Sequence, residues 1–226
     1  MDEQMARMIA MGSRQRLSRR RLVGRTAGLA GGSALLLSLG VTPWHARAQD
    51  DSTPEAAAGS EPAFDDPLDV LNYALTLEHL ENAFYRDGVD LFDLGTDGFG
   101  FNVNEQLTAI GAHEAAHVAA LTDTIVSLGG EPVAEASYLF DDAYADADAF
   151  LMTAAALENT GVSAYDGAAS SIEDPMLLTV AGGIVAVEAR HASYLNLITG
   201  EVPFPASFEM PLTPDEVLEI AGPFLA

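Results

Sequence analysis

The chain contains no cysteine and no lysine. Without cysteine there can be no disulfide framework, no thiolate metal site, no iron–sulfur cluster and no thiol nucleophile. Without lysine there is no Walker-type phosphate loop and no Schiff-base chemistry. Positive charge is scarce altogether: ten basic residues, all arginine, stand against 34 acidic ones among 226, a formal net charge of −24. A basic face able to hold a nucleic acid cannot be assembled from that supply, which argues against a polyanion partner.

The few arginines are unevenly placed. Eight of them lie in the first 48 residues beside only Asp2 and Glu3, whereas from Gln49 onward two arginines face 32 acidic residues, a balance of −30. The break predicts a removable leader over residues 1–48. Its Ser18-Arg19-Arg20-Arg21-Leu22-Val23 resembles the twin-arginine export signature, and Ala46-Arg47-Ala48 offers a small-x-small cleavage site. The intervening apolar stretch, Ala27 to Val41, is interrupted by four glycines and falls short of the roughly 20 residues that span a bilayer. An uncleaved anchor is the competing reading. The expected destination is periplasmic, cell-surface or extracellular, with no membrane contact once the leader is cut. The twin-arginine route carries folded cargo, which suits a cofactor inserted before export. Residues 49–65, rich in Ala, Glu, Ser and Pro, read as a flexible linker. The excess of acid reads as a surface solvated for high salt, where screening removes self-repulsion, with a partner-binding face as the alternative.

Residues 66–226 read as one all-α domain, a four-helix bundle with one long crossover and a short C-terminal helix. Asp66-Pro67 opens the first helix, whose apolar positions recur through Leu71, Leu75, Leu77, Phe84 and Leu91. Asn102 and Glu105 form a capping box for a second helix ending at Leu128 before Gly129-Gly130. Asp146 caps a third, to Ala169, and Asp174-Pro175 opens a fourth that ends at Gly200. Residues 129–145 form the one long connection, as in bundles with a single crossover. Thr213-Pro214-Asp215-Glu216 caps the last, outer helix.

Chemistry enters through acids and imidazoles on faces that should be buried. The second helix contains Glu114-Ala115-Ala116-His117 and the fourth Glu188-Ala189-Arg190-His191. Three residues turn a helix by about 300°, so each Glu and its His share a face. The flanks are Ala116, Ala119, Ala120 and Leu121 in one helix and Val185, Val187, Ala192 and Leu195 in the other, which points both pairs inward. The first helix adds Glu78 with Tyr85 seven residues later, and the third adds Glu158 with Tyr165 at the same offset. Seven residues are close to two turns, so each tyrosine should lie above its own glutamate. The chain thus reads as an imperfect duplication of Glu…Tyr followed by Glu-x-x-His. A lone Glu-x-x-His is weak; two, each preceded by the same Glu…Tyr helix, are specific. Four carboxylates and two imidazoles make a site for two divalent ions, with four negative ligands balancing the charge and two of them bridging. Oxygen-rich ligation with one nitrogen per ion favours two iron or two manganese ions over zinc or copper.

The segments Leu77–Tyr85, Glu158–Tyr165 and Val187–His191 resemble the ferritin-like superfamily, and most closely its exported branch, which includes plant desiccation-related proteins. The resemblance spans about residues 66–226. It implies a carboxylate-bridged di-iron or di-manganese centre with Glu78, Glu114, His117, Glu158, Glu188 and His191 as ligands. It also implies redox work on peroxide or dioxygen, or metal oxidation, in stress protection. A homo-oligomer is compatible with the sequence, although nothing indicates a storage cage.

Other readings compete. Glu81, one turn beyond Glu78, is a rival ligand, set aside because only Glu78 keeps the offset to its tyrosine. Tyr85 and Tyr165 read as hydrogen-bond donors to ligand carboxylates, with direct redox participation as the second possibility. Arg86 and Arg190 read as partners for the acidic surface, His79 as a surface histidine, and Met152 and Met176 as core. His113-Glu114-Ala115-Ala116-His117 also matches the His-Glu-x-x-His pattern of zinc hydrolases. That leaves Glu78, Glu158, Glu188 and His191 without a role, and Val187 stands where the second copy would need a histidine. A metal-free structural or desiccation-protective protein is the remaining alternative.

Overall fold

The computed structural model describes residues 63–64 and 66–226; the expected leader and nearly all of the expected linker lie outside the described residues. Four long helices follow the predicted caps closely: α1 (Pro67–Gly88), α2 (Val103–Ser127), α3 (Ala147–Ala168) and α4 (Pro175–Thr199). The side chains of Asp66, Asn102, Asp146 and Asp174 each accept a hydrogen bond from a backbone N–H of the first turn, satisfying donors that the helix itself cannot. At Asn102 only this half of the expected box forms. The reciprocal arrangement appears instead at Thr213 and Glu216, which open the short α5 (Pro214–Ala221). Gly200, at φ 88°, terminates α4 in the left-handed conformation that favours glycine. No strand occurs among the described residues, only two isolated bridges.

Two apolar clusters occupy opposite ends of the bundle. One gathers Leu71 and Leu75 of α1, Leu121 and Ile125 of α2, Tyr165 of α3 and Ile184 of α4. The other gathers Phe84, Leu107, Phe150, Leu157 and Leu195, with Val217 of α5 added. Following the chain from cluster to cluster shows that α1 and α4 run one way and α2 and α3 the other. Because α2 and α3 are parallel, the connection between them must travel the length of the bundle, and the long crossover is that connection. It runs along α1. Val133 N donates to Asn72 Oδ1 at 2.7 Å, Asn72 Nδ2 donates to the Glu131 carbonyl at 3.3 Å, and Arg86 Nη1 donates to Glu135 Oε1 at 2.9 Å. His79 belongs to this seam, its Nε2 lying 3.2 Å from the Val133 carbonyl. It is the surface histidine expected, and it also fastens the crossover. Past the seam, Phe140 and Tyr144 reach the ring of Phe84, which stacks on Phe150 at 4.9 Å. Burying such a ring contributes roughly 1.5–3 kcal/mol. Gly88 is required here, since a Cβ on it would stand 2.6 Å from the Phe150 ring and 2.7 Å from that of Tyr144.

Three apolar assignments fail. Met152 and Met176 are 66% and 73% exposed, and Leu91 is 53% exposed because α1 stops at Gly88. None of the described helices is long and apolar enough to cross a membrane.

Candidate metal centre

Between the two apolar clusters each long helix places one glutamate, and Glu78, Glu114, Glu158 and Glu188 are all 0% exposed. Their carboxylates meet with His117 and His191 in two overlapping groups. Glu78, Glu114, His117 and Glu188 form one, and Glu114, Glu158, Glu188 and His191 the other, with the candidate ligand atoms of each group within 4.8 Å of one another. Glu114 and Glu188 belong to both. All six sequence-predicted ligand residues therefore come together, two of them shared.

The imidazoles show why this donor set suits a cation. His117 Nδ1 lies 3.2 Å from Glu78 Oε2, 3.0 Å from Glu114 Oε2 and 3.0 Å from Glu188 Oε1. His191 Nδ1 lies 3.0 Å from Glu114 Oε1 and 3.1 Å from Glu158 Oε2. One ring N–H cannot donate to three oxygens at once. Glu188 Oε2 is buried without a hydrogen-bond partner, whereas Glu114 Oε1 and Glu188 Oε1 each have an imidazole Nδ1 at 3.0 Å but no well-aligned hydrogen bond; all three belong to the two shared residues. A buried carboxylate without partners costs several kcal/mol, a cost that a divalent ion would remove. The residues fit a metal site, with oxygen donors dominant and one imidazole nitrogen in each group.

Titration in the protein alone reflects the same crowding. Burial, then the neighbouring carboxylates against the opposing hydrogen bond from His117, raises Glu78 to about 8, and burial likewise raises Glu188 to about 8. Burial also pushes Glu114 up, but hydrogen bonds from His117 and His191 outweigh it and hold this carboxyl down at about 2. For His117 and His191 burial acts downward, yet the surrounding carboxylates win and lift them to about 12 and about 10.

Each terminal carboxylate is steadied by a tyrosine from the other half of the duplication. Tyr85 OH donates to Glu158 Oε1 at 2.6 Å, and Tyr165 OH donates to Glu78 Oε1 at 2.5 Å. The hydroxyl does not stop at its own glutamate: from α1 and α3 each phenol reaches across the bundle to the carboxylate of the other half. Burial, and then the carboxylate it serves, raises each phenol well above its ordinary value, so both remain protonated donors.

Other residues settle differently. Glu81 is 3% exposed but joins neither group, and burial among the other carboxylates pushes it well up. His113 also joins neither group, so the His-Glu-x-x-His arrangement does not assemble around one ion; its Nδ1 lies 2.9 Å from His191 Nε2 instead. Arg86 pairs with Asp87 and Glu135 on the surface as expected, and Arg190 is exposed on α4. The inward-facing pairs are as read, but Ala116, Ala119 and Ala120 are exposed and line nothing. Gly161 went unnoticed in the sequence. A Cβ there would stand 3.0 Å from Glu81 Oε1 and 3.7 Å from Glu188 Oε2. Its signal was a glycine inside a helix, which costs about 1 kcal/mol against alanine unless space demands it.

Comparison with known families agrees with this geometry. A family model described as a ferritin-like domain matches residues 66–201, more than half of the chain. No curated protein matches it.

Proposed function

The chain belongs to the ferritin-like domain family, and on that premise we propose that its buried cluster holds two iron or two manganese ions and does redox work on a small oxidant, peroxide or dioxygen. The observation that carries the reading is the sharing of Glu114 and Glu188 between both ligand groups, with Glu188 Oε2 buried and without a donor. Two ions, one in each group, would use every residue of both, whereas one ion would leave a glutamate and a histidine of the other group without a role.

When bound, such a metal pair supplies electrons and a Lewis-acidic surface for an oxygen–oxygen bond. The protein's own residues supply the rest. Glu78 and His117 would hold an ion in one group and Glu158 and His191 an ion in the other, with Glu114 and Glu188 available to both. Tyr85 and Tyr165 hold the outer carboxylates in place and keep their protons. Apolar clusters pack at both ends of the carboxylate cluster. Export through the twin-arginine leader into a salty exterior, in a stress-protective role, completes the proposal.

The test is metal content followed by activity. Protein purified after loading with iron or manganese should carry near two ions per chain and consume hydrogen peroxide, while chelated protein should not. One zinc per chain would favour the hydrolase reading. A protein that takes up no metal would leave a structural or protective role.

A further inference from the structure

His113 stands outside both ligand groups, yet its ring lies against one of them. His191 turns Nδ1 toward the carboxylates, and its other nitrogen, Nε2, is 2.9 Å from His113 Nδ1, with the two ring planes 8° apart. A neutral imidazole that ligates through Nδ1 must carry its proton on Nε2, and that proton needs an acceptor. His113 Nδ1 is placed to accept it when His113 carries its own proton on Nε2. His113 is exposed, so water can reach its outer edge.

The duplication sharpens the point. Each half supplies the tyrosine that holds the other half's glutamate. His113, the residue before Glu114 on α2, supports His191 on α4 in the same crossed manner. The matching residue before Glu188 on α4 is Val187, which offers no acceptor. His117 turns Nδ1 toward Glu78, Glu114 and Glu188, and no side chain among the described residues meets its Nε2. The two ion positions are therefore chemically unequal although their ligands match.

We infer that His113 is a positioning residue that holds His191 in its Nδ1-ligating form and makes the Glu158/His191 position bind its ion more tightly than the Glu78/His117 position. The inference rests on the dinuclear reading above. Partners that orient a ligating histidine are typically worth 10–100-fold in metal affinity.

The experiment separates the two positions. Glu78→Gln weakens one and leaves the Glu158/His191 position, whereas Glu158→Gln leaves the Glu78/His117 position. Adding His113→Val, the residue that α4 itself uses, should weaken Mn(II) binding about 10–100-fold in the Glu78→Gln protein and leave the Glu158→Gln protein unchanged. His113→Asn, whose carbonyl can accept the same proton, should recover much of the loss. Equal weakening in both backgrounds, or none in either, overturns the inference. A second measurement needs no metal. In the chelated wild-type protein, 15N NMR should show His113 Nδ1 unprotonated and the His191 Nε2 proton protected from exchange. A proton on His113 Nδ1 would make it the donor and overturn its role as acceptor for His191. Wild-type protein that binds no Mn(II) refutes the metal reading and the ranking of positions together, and the NMR result then decides the hydrogen bond alone.

Discussion

Removing metal should make the stability of this bundle fall as pH rises, and the structure sets the size of the fall. Glu78 and Glu188 are raised from 4.5 to about 8 in the folded protein. Between those values the fold keeps a proton that the unfolded chain has released, so stability is lost as pH rises through the window. One such proton costs about 1.4 kcal/mol per pH unit. Glu188 raises Glu78 and both share Glu114 as a neighbouring carboxylate, so they count as a pair withholding about one proton. From pH 5.5 to pH 8 the loss is then roughly 3 kcal/mol. His117 and His191, also raised, act in the same direction: the stability they add is full below about 6.5 and declines above it. Glu114 is lowered to about 2, so its contribution is lost only below about 4.5, outside the window. With a urea dependence of about 1–3 kcal/mol per molar, the unfolding midpoint should drop by roughly 1–3 M. The assay is urea unfolding of chelated and Mn(II)-loaded protein at pH 5.5, 7 and 8. It should be run at about 1 M salt or above, where a Debye length of roughly 3 Å mutes repulsion on the acidic surface. Loaded protein should lose the slope, because the ions replace the protons. A chelated protein that grows more stable toward pH 8, or parallel slopes with and without metal, would refute the reasoning.

Glu158→Ala should lower bound metal per chain, while Glu173→Ala, an exposed acid in the loop after α3, should not; equal metal content in the two variants counts against the ligand assignment. Tyr85→Phe removes the donor to Glu158 and should cost about 1–3 kcal/mol in stability and about tenfold or more in metal affinity, as read by urea unfolding and equilibrium dialysis. Gly88→Ala drives a methyl into the Phe150 and Tyr144 rings and should cost about 1–3 kcal/mol, measured as a lower thermal midpoint with metal content per folded chain unchanged.

The caps and the ligand set were legible for one reason: both are local. An Asp before a Pro, or a Glu one turn before a His, is written in consecutive residues, and the helical period carries it into space. What failed depended on the neighbouring helix. Period alone places Tyr85 on the face of Glu78, and it does lie on that side of α1, but the phenol is long enough to pass its own glutamate and meet Glu158. The alanines beside Glu114 looked like a lining because they are small and apolar. Whether a helix buries a narrow stripe or its whole circumference depends on how many neighbours it has, and α2 packs chiefly on α1. Met152 and Met176 failed in the same way. His79 and Glu81, adjacent in type and spacing, part company because one faces the crossover and the other the bundle axis.

The crossed support also bears on how four acids can be tolerated in a core at all. Each half of the duplication holds a carboxylate whose hydroxyl partner lies in the other half, so neither helix pair satisfies its own glutamate when separated. The apolar layers at both ends pack the two helix pairs together around the carboxylates. Burial raises Glu78 and Glu188 while two imidazoles hold Glu114 low, so protons can occupy the site in place of cations. Loading with metal must expel those protons. Acid therefore favours the metal-free fold and opposes loading, and one ring of buried carboxyls accounts for both effects.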